Sequence, residues 1–176
     1  MRVLDIGCGK NKINGAIGLD IHKTPATDAI CDLDRFPYPF QTNIFDKIYL
    51  MDVLEHLHDI KGVMEEVHRI AKPGADVFIR VPHFSSTHAY GDFTHRHFFN
   101  TESFNYFTAD FPQYDFYSAA RFDKIKVRLN FWKFHRINGV SCLANRFPRI
   151  YERYFAFIFP AMNIEVSLKV MKQGIK

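Results

Sequence analysis

Short apolar runs separated by glycine or polar turns mark the first part of the chain. Residues 2–6 (RVLDI) end at Gly7, residues 16–21 (AIGLDI) end before Pro25, and residues 45–53 (FDKIYLMDV) form a longer run. Continuous apolar runs of this length, bounded by turn residues, are typical of strands in a parallel sheet. We therefore predict three such strands.

A helical pattern follows the third run. Asp59 is its predicted N-cap, Pro73 and Gly74 predict its end, and its apolar positions are Ile60, Val63, Met64, Val67 and Ile70. Residues 75–82 (ADVFIRVP) predict the next strand. A strand, a helix and a strand in this order predict a right-handed crossover in a parallel α/β sheet.

The second half of the chain changes to alternating apolar and polar positions. Residues 124–132 (KIKVRLNFW) and 164–172 (IEVSLKVMK) predict strands with one solvated face. They could close one edge of the sheet as an antiparallel pair. Residues 101–107 (TESFNYF) predict a short capped helix.

An aromatic segment of helical length lies between the last two strands. Residues 149–159, bounded by Pro148 and Pro160, carry apolar side chains nearly all round the predicted helix. This pattern favours burial or a homodimer contact. Peripheral contact with a membrane surface is a further alternative, because Arg149 and Arg153 could meet lipid phosphates.

Composition and charge limit the partners and the compartment. A chain of 176 residues, 47% of them hydrophobic, predicts one domain. The formal net charge of +4 comes without a run of basic residues, so nothing indicates a nucleic-acid partner. Cys8, Cys31 and Cys142 lie far apart, which argues against a disulfide framework or a thiolate zinc site and favours the reducing cytoplasm. No apolar run approaches the roughly 18 residues of a transmembrane helix.

A glycine turn after the first strand points to nucleotide binding. Asp5 leads into the turn, and Gly7 and Gly9 keep side chains away from a ligand. Asp20, at the end of the second strand, is placed to accept hydrogen bonds from ribose hydroxyls. Taken alone, the pattern is also typical of a tight turn under a buried sheet. Lys12 stands where a dinucleotide fingerprint needs its third glycine, which disfavours NAD.

Four motifs together resemble class I S-adenosylmethionine-dependent methyltransferases, most of all the ubiquinone-biosynthesis type. They are VLDIGCG (3–9), IGLDI (17–21), CDLDRFPYPFQTNIFDKIYLMDVLEHL (31–57) and KPGADVFIRVP (72–82). The resemblance implies one α/β domain over residues 1–176, with a Rossmann-like doubly wound, mostly parallel seven-stranded sheet and an antiparallel C-terminal strand pair. Residues 1–82 would be the cofactor-binding half, and residues 83–176 the substrate and cap half.

Carried over position by position, the resemblance assigns a cofactor site. Asp5 would orient the glycine loop of Gly7, Cys8 and Gly9 near the methionine part of S-adenosylmethionine. Asp20 and Ile21 would contact the ribose, and Asp32 and Leu33 would contact the adenine. Met51 and Asp52 would line the methionine side.

Two departures from the family concern the start of the chain. The helix that normally precedes the first strand is absent, and only residues 10–16 are available for the helix between the first two strands. We therefore predict a truncated N-terminal region. Aromatic side chains of the second half, or a second copy of the chain, would have to cover the sheet there.

A second group of candidates follows the later strands. The acid-x-x-Glu-His pattern at Glu55 and His56 resembles the divalent-metal ligands of ubiquinone O-methyltransferases and small-RNA 2′-O-methyltransferases. With His97, it implies a Mg²⁺ or Mn²⁺ site. A general base is the alternative, for which His83, His95 and His97 are candidates. A structural role is the third, since a glutamate also suits a helix N-terminus.

We therefore predict a cytoplasmic S-adenosylmethionine-dependent methyltransferase that methylates an oxygen of a small molecule. The Asn/Asp-Pro-Pro-aromatic motif of enzymes that act on base amines is replaced by MDVLEHL (51–57). A sugar, a quinone-like ring or a lipid precursor fits better as the acceptor. Two other classes stay open: a non-catalytic S-adenosylmethionine-binding module or partner subunit derived from a methyltransferase, and a nicotinamide-dependent reductase.

Overall fold

The fold is built on one sheet of seven strands in the order β3-β2-β1-β4-β5-β7-β6. The computed structural model describes residues 1–108, 111–114 and 116–172. The strands are β1 (Val3–Ile6), β2 (Ile17–Asp20), β3 (Ala29–Ile30), β4 (Phe45–Met51), β5 (Ala71–Pro82), β6 (Arg121–Asn130) and β7 (Asn163–Met171). The α-helices are α1 (Ile60–Ile70), α2 (Thr87–Gly91), α3 (Lys133–Ile137), α4 (Val140–Arg146) and α5 (Pro148–Tyr154). Short 3₁₀ turns span Leu54–His56, Ser103–Phe107 and Pro112–Tyr114.

The strand directions confirm the predicted fold class. Strands β1 to β5 pair in parallel, and β7 pairs antiparallel with both β5 and β6. Because β7 reverses the direction on each side, β6 runs the same way as β5. The predicted antiparallel pair is present, and its strands span Arg121–Asn130 and Asn163–Met171.

Helix α1 connects the parallel strands β4 and β5, as the predicted crossover requires. The Asp59 carboxylate accepts a hydrogen bond of 2.8 Å from the Gly62 amide, which confirms the N-cap. Helix α1 ends at Ile70, the last of the predicted apolar positions and shortly before Pro73, and β5 begins at the next residue. Residues 72–75 bulge out of the ladder between the Phe45–Ala71 and Lys47–Asp76 pairs. A bulge tolerates the proline at position 73, which has no amide hydrogen to donate.

A loop replaces the helix expected between β1 and β2. Residues 7–16 form turns and contain no helix, which confirms the shortened connection. Three carboxylates accept hydrogen bonds from backbone amides of this region: Asp5 from Ile13 at 2.7 Å, Asp20 from Gly9 at 2.8 Å, and Asp28 from Gly18 at 2.8 Å. The backbone of Ala26 lies directly against β2 at Gly18, so the protein's own loop covers this part of the sheet.

The second half departs further from the sequence-based prediction. The helix predicted over residues 149–159 ends at Tyr154, and in the turns that follow the Phe159 carbonyl accepts a hydrogen bond of 2.8 Å from the Tyr151 hydroxyl. Burial all round is also wrong, because Phe157 and Ile158 are exposed. The predicted helix over residues 101–107 is a 3₁₀ turn, and β3, α2, α3 and α4 were not predicted.

We expect Gly18→Ala to destabilise the protein through the contact between β2 and the loop of residues 22–28. An added Cβ atom would lie 2.2 Å from the Ala26 carbonyl oxygen, which can move only with the loop. The free energy of unfolding, measured by urea denaturation, should fall by about 2 kcal/mol. Gly91→Ala is the control, because nothing lies within 4 Å of the Cβ it adds. Equal stability of the two variants would contradict this packing.

Candidate functional site

The parallel strands end at one edge of the sheet and bring the candidate residues together there. Gly7 follows β1, Asp20 ends β2, Asp52 follows β4 and His83 follows β5. These four strands are neighbours in the order β2-β1-β4-β5. Ligands of open α/β sheets bind outside the carboxyl ends of the strands. Both predicted groups of residues therefore lie at the ligand edge.

The residues of the glycine loop differ in what they contact. Gly7 and Gly9 both have left-handed backbone angles, with φ of 69° and 54°. A Cβ at Gly7 would lie 2.4 Å from Val53, whereas nothing lies within 4 Å of a Cβ at Gly9. Cys8 is buried, with its sulfur 3.7 Å from the Ala26 carbonyl oxygen. Gly7 thus serves packing, Cys8 turns inward, and Gly9 presents bare backbone to open space.

Asp20 ties the glycine loop to the residues after β2. One carboxylate oxygen accepts a hydrogen bond of 2.8 Å from the Gly9 amide, and the other accepts one of 2.8 Å from the His22 amide. Each carboxylate oxygen has a second lone pair, so ligand hydroxyls could bind at the same time. Ile21, next to it, is exposed.

Asp5 lies beneath the loop and does not reach the open edge. Its carboxylate is buried and accepts a hydrogen bond of 2.7 Å from the Ile13 amide. Burial raises the pKa of this carboxyl, and the Ile13 amide opposes that shift. Asp5 therefore shapes the loop, which is the orienting position that the sequence predicts for it.

Asp32 and Leu33 form the turn that follows β3. The Asp32 carboxylate accepts a hydrogen bond of 3.1 Å from the Asp34 amide and lies 3.1 Å from Nε of Arg35. The Leu33 side chain is buried, and its carbonyl accepts a hydrogen bond of 2.9 Å from the Tyr38 hydroxyl. Because the Leu33 carbonyl is already bonded, the Leu33 amide is the backbone group that we consider for a ligand contact.

Asp52 lies between the glycine loop and the second group of candidates. It adopts a φ of 55° directly after the partly buried Met51. Its carboxylate forms an ion pair with Arg80, whose Nε lies 2.9 Å from Oδ2. This pair strengthens the charged state of the arginine, whose pKa is raised by the hydrogen bond to Asp52.

A cleft of about 610 Å³ opens beside this ion pair. Pro82 and Met162 contribute apolar surface to its lining, and the polar side chains that line it include Asp52, Glu55, His56, Arg80, His88, Asp92, His95 and Asn163. Glu55, His56 and His95 each offer a ligand atom within 4.8 Å of the other two. We refer to these three residues as the Glu-His-His cluster. One carboxylate and two imidazoles at this spacing can hold a metal ion or exchange a proton with a ligand.

Hydrogen bonds fix the orientation of both imidazoles. The Thr94 hydroxyl donates to the Asp92 carboxylate at 2.6 Å, so it can only accept from Nδ1 of His56, 2.8 Å away. Nδ1 of His95 lies 3.1 Å from the Ala89 carbonyl oxygen and must donate to it. Neutral His56 and His95 therefore both carry their free lone pair on Nε2. Burial, and then the charge of His95, lower the pKa of His56.

Glu55 is the most deeply placed member of the cluster. Its side chain is 1% exposed, and its Oε2 atom has no hydrogen-bond partner among the described residues. Burial raises the pKa of this carboxyl to about 8. The backbone carbonyl oxygen of Glu55 accepts hydrogen bonds from the amides of Arg96 at 2.7 Å and His97 at 3.3 Å. These bonds fix the segment that carries His95.

The two other predicted histidines have different surroundings. His83 has no exposed surface; Nδ1 lies 2.8 Å from the Ser85 hydroxyl and Nε2 lies 3.4 Å from the Glu152 carboxylate. This favours a structural role. Among the described residues, His97 belongs neither to the cluster nor to the lining of the cleft, and its ring lies 6.4 Å from that of Phe99.

Sequence reasoning named Asp92 at this edge but missed two residues that support the site. Thr94 connects Asp92 to His56, and Arg80 binds Asp52. One local signal was available, because an Asp followed two residues later by Thr favours a turn in which the carboxylate accepts that residue's amide. The structure has this bond, 2.8 Å long. No comparable signal in the sequence links Arg80 to Asp52.

Comparison with known proteins identifies the family. The family model described as a methyltransferase domain matches residues 1–113, which is more than half of the chain. The chain belongs to this methyltransferase family. The resemblance drawn from the four motifs is thereby confirmed, and the matched range includes the glycine loop, Asp20 and the Glu-His-His cluster. The roles of the individual residues of this methyltransferase stay predictions.

Relatives of this methyltransferase match over different shares of their length. Cycloartenol-C-24-methyltransferase 1 of Oryza sativa subsp. japonica is 27% identical over 97 residues, 42% of this chain and 28% of the relative. Sterol 24-C-methyltransferase ERG6B of Gibberella zeae is 30% identical over 97 residues, 42% of this chain and 26% of the relative. The match therefore spans less than a third of these two proteins.

Solved structures support the fold over nearly the whole chain. A SAM dependent methyltransferase from Archaeoglobus fulgidus superposes with a TM-score of 0.62 and 17% identity, over 96% of this chain and 85% of that chain. This likeness confirms the fold class. Among the described residues, no helix has both the length and the apolar composition needed to span a bilayer.

We expect Glu55→Gln to change how stability depends on pH. Because the folded protein raises the pKa of Glu55 to about 8, from an ordinary value of 4.5, folding takes up a proton between these pH values. The free energy of unfolding of the wild type should therefore fall as pH rises from 5.5 to 7.5, by about 2 kcal/mol relative to the variant. Urea denaturation with a metal chelator present measures the difference. Parallel pH profiles would contradict the burial of an unpartnered carboxyl.

Proposed function

We propose that this protein binds S-adenosylmethionine at the glycine loop and transfers its methyl group to a hydroxyl oxygen in the adjoining cleft. The observation that carries the proposal is that the glycine loop and the cleft lie at the same edge of the sheet. The loop with Asp20 and the cleft with the Glu-His-His cluster lie side by side, with Asp52 between them. Methyl transfer needs this adjacency, because donor carbon and acceptor oxygen must meet in line.

The residues of the loop fit the proposed cofactor. Gly9 faces open space, so a ligand can approach its backbone. The Asp20 carboxylate keeps lone pairs for two ribose hydroxyls, and the exposed Ile21 beside it offers apolar contact. Asp32 and the Leu33 amide remain our candidates for the adenine, and Met51 and Asp52 for the methionine part. When bound, the cofactor supplies an activated methyl group on a positively charged sulfur.

The cleft suits a hydroxylated small molecule. Its charged and polar lining can hydrogen-bond several hydroxyl groups. In the transfer, the carbon–sulfur bond breaks as the carbon–oxygen bond forms, and the hydroxyl proton leaves to a base. His95 lines the cleft and its Nε2 carries a free lone pair, so we assign the proton to this atom. His83 and His97, the other candidates from the sequence, are left out of this step.

The unpartnered oxygen of Glu55 favours a second use of the cluster. We propose, as an alternative to proton transfer to His95 because its Nε2 lone pair can serve only one purpose, that Glu55 Oε2 and the Nε2 atoms of His56 and His95 form a site for one divalent metal ion. The bonds at Nδ1 of both histidines are the kind of support that metal ligands receive. Two imidazoles suit Mn²⁺ or Zn²⁺ better than Mg²⁺. A bound ion would lower the pKa of a hydroxyl that contacts it.

The cluster also bears on the rival functions. A non-catalytic S-adenosylmethionine-binding module would need the loop and Asp20, but it would not need a buried, unpartnered Glu55 beside two oriented imidazoles. Burying such a carboxyl costs stability, which a purely structural role does not justify. A nicotinamide-dependent reductase is disfavoured by the methyltransferase family match. The cytoplasmic location and the homodimer stay predictions.

We expect Asp20→Asn to weaken binding of S-adenosylhomocysteine. The substitution removes the charge that would accept two ribose hydroxyls, and calorimetric titration should show an affinity loss of at least about tenfold. Asp123→Asn on the exposed surface of β6 is the matched control. Both variants are first compared by thermal unfolding, since Asp20 also holds the loop. Unchanged affinity in a folded Asp20→Asn protein would refute the assignment of the ribose site.

We expect the purified, metal-stripped protein to bind one Mn²⁺ or Zn²⁺ ion, with weaker binding of Mg²⁺. Titration followed by calorimetry, or by the electron paramagnetic resonance signal of free Mn²⁺, measures this directly, without substrate. Glu55→Gln and His95→Ala should each lose at least about tenfold in affinity, whereas His97→Ala should match the wild type. A loss in His97→Ala alone would restore the ligand set predicted from the sequence, and no binding by the wild type would exclude the metal site.

A further inference from the structure

The segment between β6 and β7 carries an exposed apolar surface. We call this segment, residues 131–162, the aromatic cap; it contains α3, α4 and α5. Among the side chains of the cap that the structure describes, seven large hydrophobic ones are 51–74% exposed: Phe134, Leu143, Phe147, Ile150, Tyr154, Phe157 and Ile158. A group of this kind on one segment indicates a surface that contacts another partner.

A shallow groove of about 240 Å³ runs along the cap. Its lining consists of apolar side chains, including Leu143, Phe147, Ile150 and Phe159, together with Tyr151. The Tyr151 hydroxyl is already bonded to a carbonyl of the cap, at 2.8 Å. The groove therefore offers hydrocarbon contact and almost no hydrogen-bonding groups, which suits an acyl chain.

The net positive charge of the protein is concentrated in the same segment. The cap contains one acidic residue, Glu152, and five basic ones, so its formal charge of +4 equals that of the whole chain; the basic residues are Lys133, Arg136, Arg146, Arg149 and Arg153. Glu152 turns inward and accepts a hydrogen bond of 2.7 Å from the Thr101 amide. All five basic residues are exposed. The rest of the chain is therefore formally neutral, and the net positive charge lies on the cap.

We propose that the aromatic cap docks on an anionic lipid surface, with its exposed apolar side chains among the acyl chains and its arginines at the phosphates. Arg146 lies 5.4 Å from the ring centre of Phe147, and Arg153 lies 5.6 Å from that of Tyr154. Such pairs of an aromatic ring and a cation suit the boundary between hydrocarbon and head groups. Helices of five to seven residues fall far short of a hydrocarbon core of about 30 Å, so the contact is interfacial.

The strand directions place the cap beside the cleft. Because β6 runs parallel to β5, α3 begins at the same edge of the sheet at which the candidate site lies. Trp132 of the cap stacks on His88, which lines the cleft, with 5.4 Å between ring centres. A lipid surface on the cap would thus lie next to the cleft. The idea that the cleft receives a hydroxyl group of a lipid rests on the proposed function. Docking of the cap on a lipid surface does not depend on it.

A second copy of the chain fits this surface less well. A two-fold contact pairs a patch with the same patch of the partner. Two caps would bring one formal charge of +4 against another, and like charges in contact oppose association. An anionic lipid surface removes this repulsion, because it supplies opposite charge all along the cap.

Co-sedimentation with vesicles tests the proposal. The full chain is mixed with phosphatidylcholine vesicles or with vesicles that contain phosphatidylglycerol in addition, at low and at high salt. We expect binding to the anionic vesicles, weakened by salt. Arg146→Gln with Arg153→Gln should lower the partition coefficient at least about tenfold, and Leu143→Ser with Ile158→Ser should do the same. Lys10→Gln and Ile125→Ser, at exposed positions outside the cap, are the matched controls and should bind like the wild type.

Three results would overturn the proposal. The first is a wild type that does not bind anionic vesicles, and the second is binding by the cap variants that equals that of the controls. The third is a dimer, seen by sedimentation velocity without lipid, that the Leu143→Ser, Ile158→Ser variant loses; this would assign the cap to a second copy of the chain. The arginine variants change only exposed side chains, so their result does not depend on the core. Binding of S-adenosylhomocysteine by every variant shows that the cofactor site is intact and separates this test from the proposed function.

Discussion

The short connection between two parallel strands is the constraint on which the cofactor half depends. Residues 7–16 join β1 to β2, whereas a parallel crossover usually takes a dozen residues or more and contains a helix. Without a helix, the amides of the loop need other acceptors, because unpaired buried backbone groups are costly. Asp5 supplies an acceptor for the Ile13 amide and Asp20 supplies one for the Gly9 amide. The carboxylate at the end of β2 is therefore fixed relative to the glycine loop before any ligand arrives, so little ordering cost remains for binding.

Backbone hydrogen bonds also position the residues of the Glu-His-His cluster. The Glu55 carbonyl accepts hydrogen bonds from the amides of Arg96 and His97, and this draws the segment after α2 over the 3₁₀ turn of residues 54–56. His95 then comes within ligand distance of Glu55 and His56. The backbone of Glu55 is thus satisfied, whereas its buried side chain is not. Buried carboxyls with a raised pKa are common at functional sites, because the function of the group retains it although its burial lowers the stability of the fold.

Local sequence signals predicted the elements that depend on local interactions. The apolar runs located β1, β2, β4 and β5, and the N-cap of α1 follows from Asp59 alone. The helix predicted over residues 149–159 already ends at Tyr154, and no glycine or proline marks that position in the sequence. The sequence assigned His97 to the metal site, whereas the structure brings His95 beside Glu55 and His56. The position of His95 depends on the Asp92–Thr94 turn and on the backbone carbonyl of Glu55, which no spacing rule connects to the histidines.

Cleft and cap impose opposite demands on whatever binds at this edge. The polar lining of the cleft, with Asp52, Arg80 and His88, would lose hydration without compensation if an apolar group filled it. The groove of the cap, lined by Leu143, Phe147 and Phe159, would bury a polar group equally badly. The stacked rings of Trp132 and His88 join the two surfaces. A molecule with a hydroxylated head and a hydrocarbon tail satisfies both at once, so an amphiphilic acceptor explains why such different surfaces lie side by side.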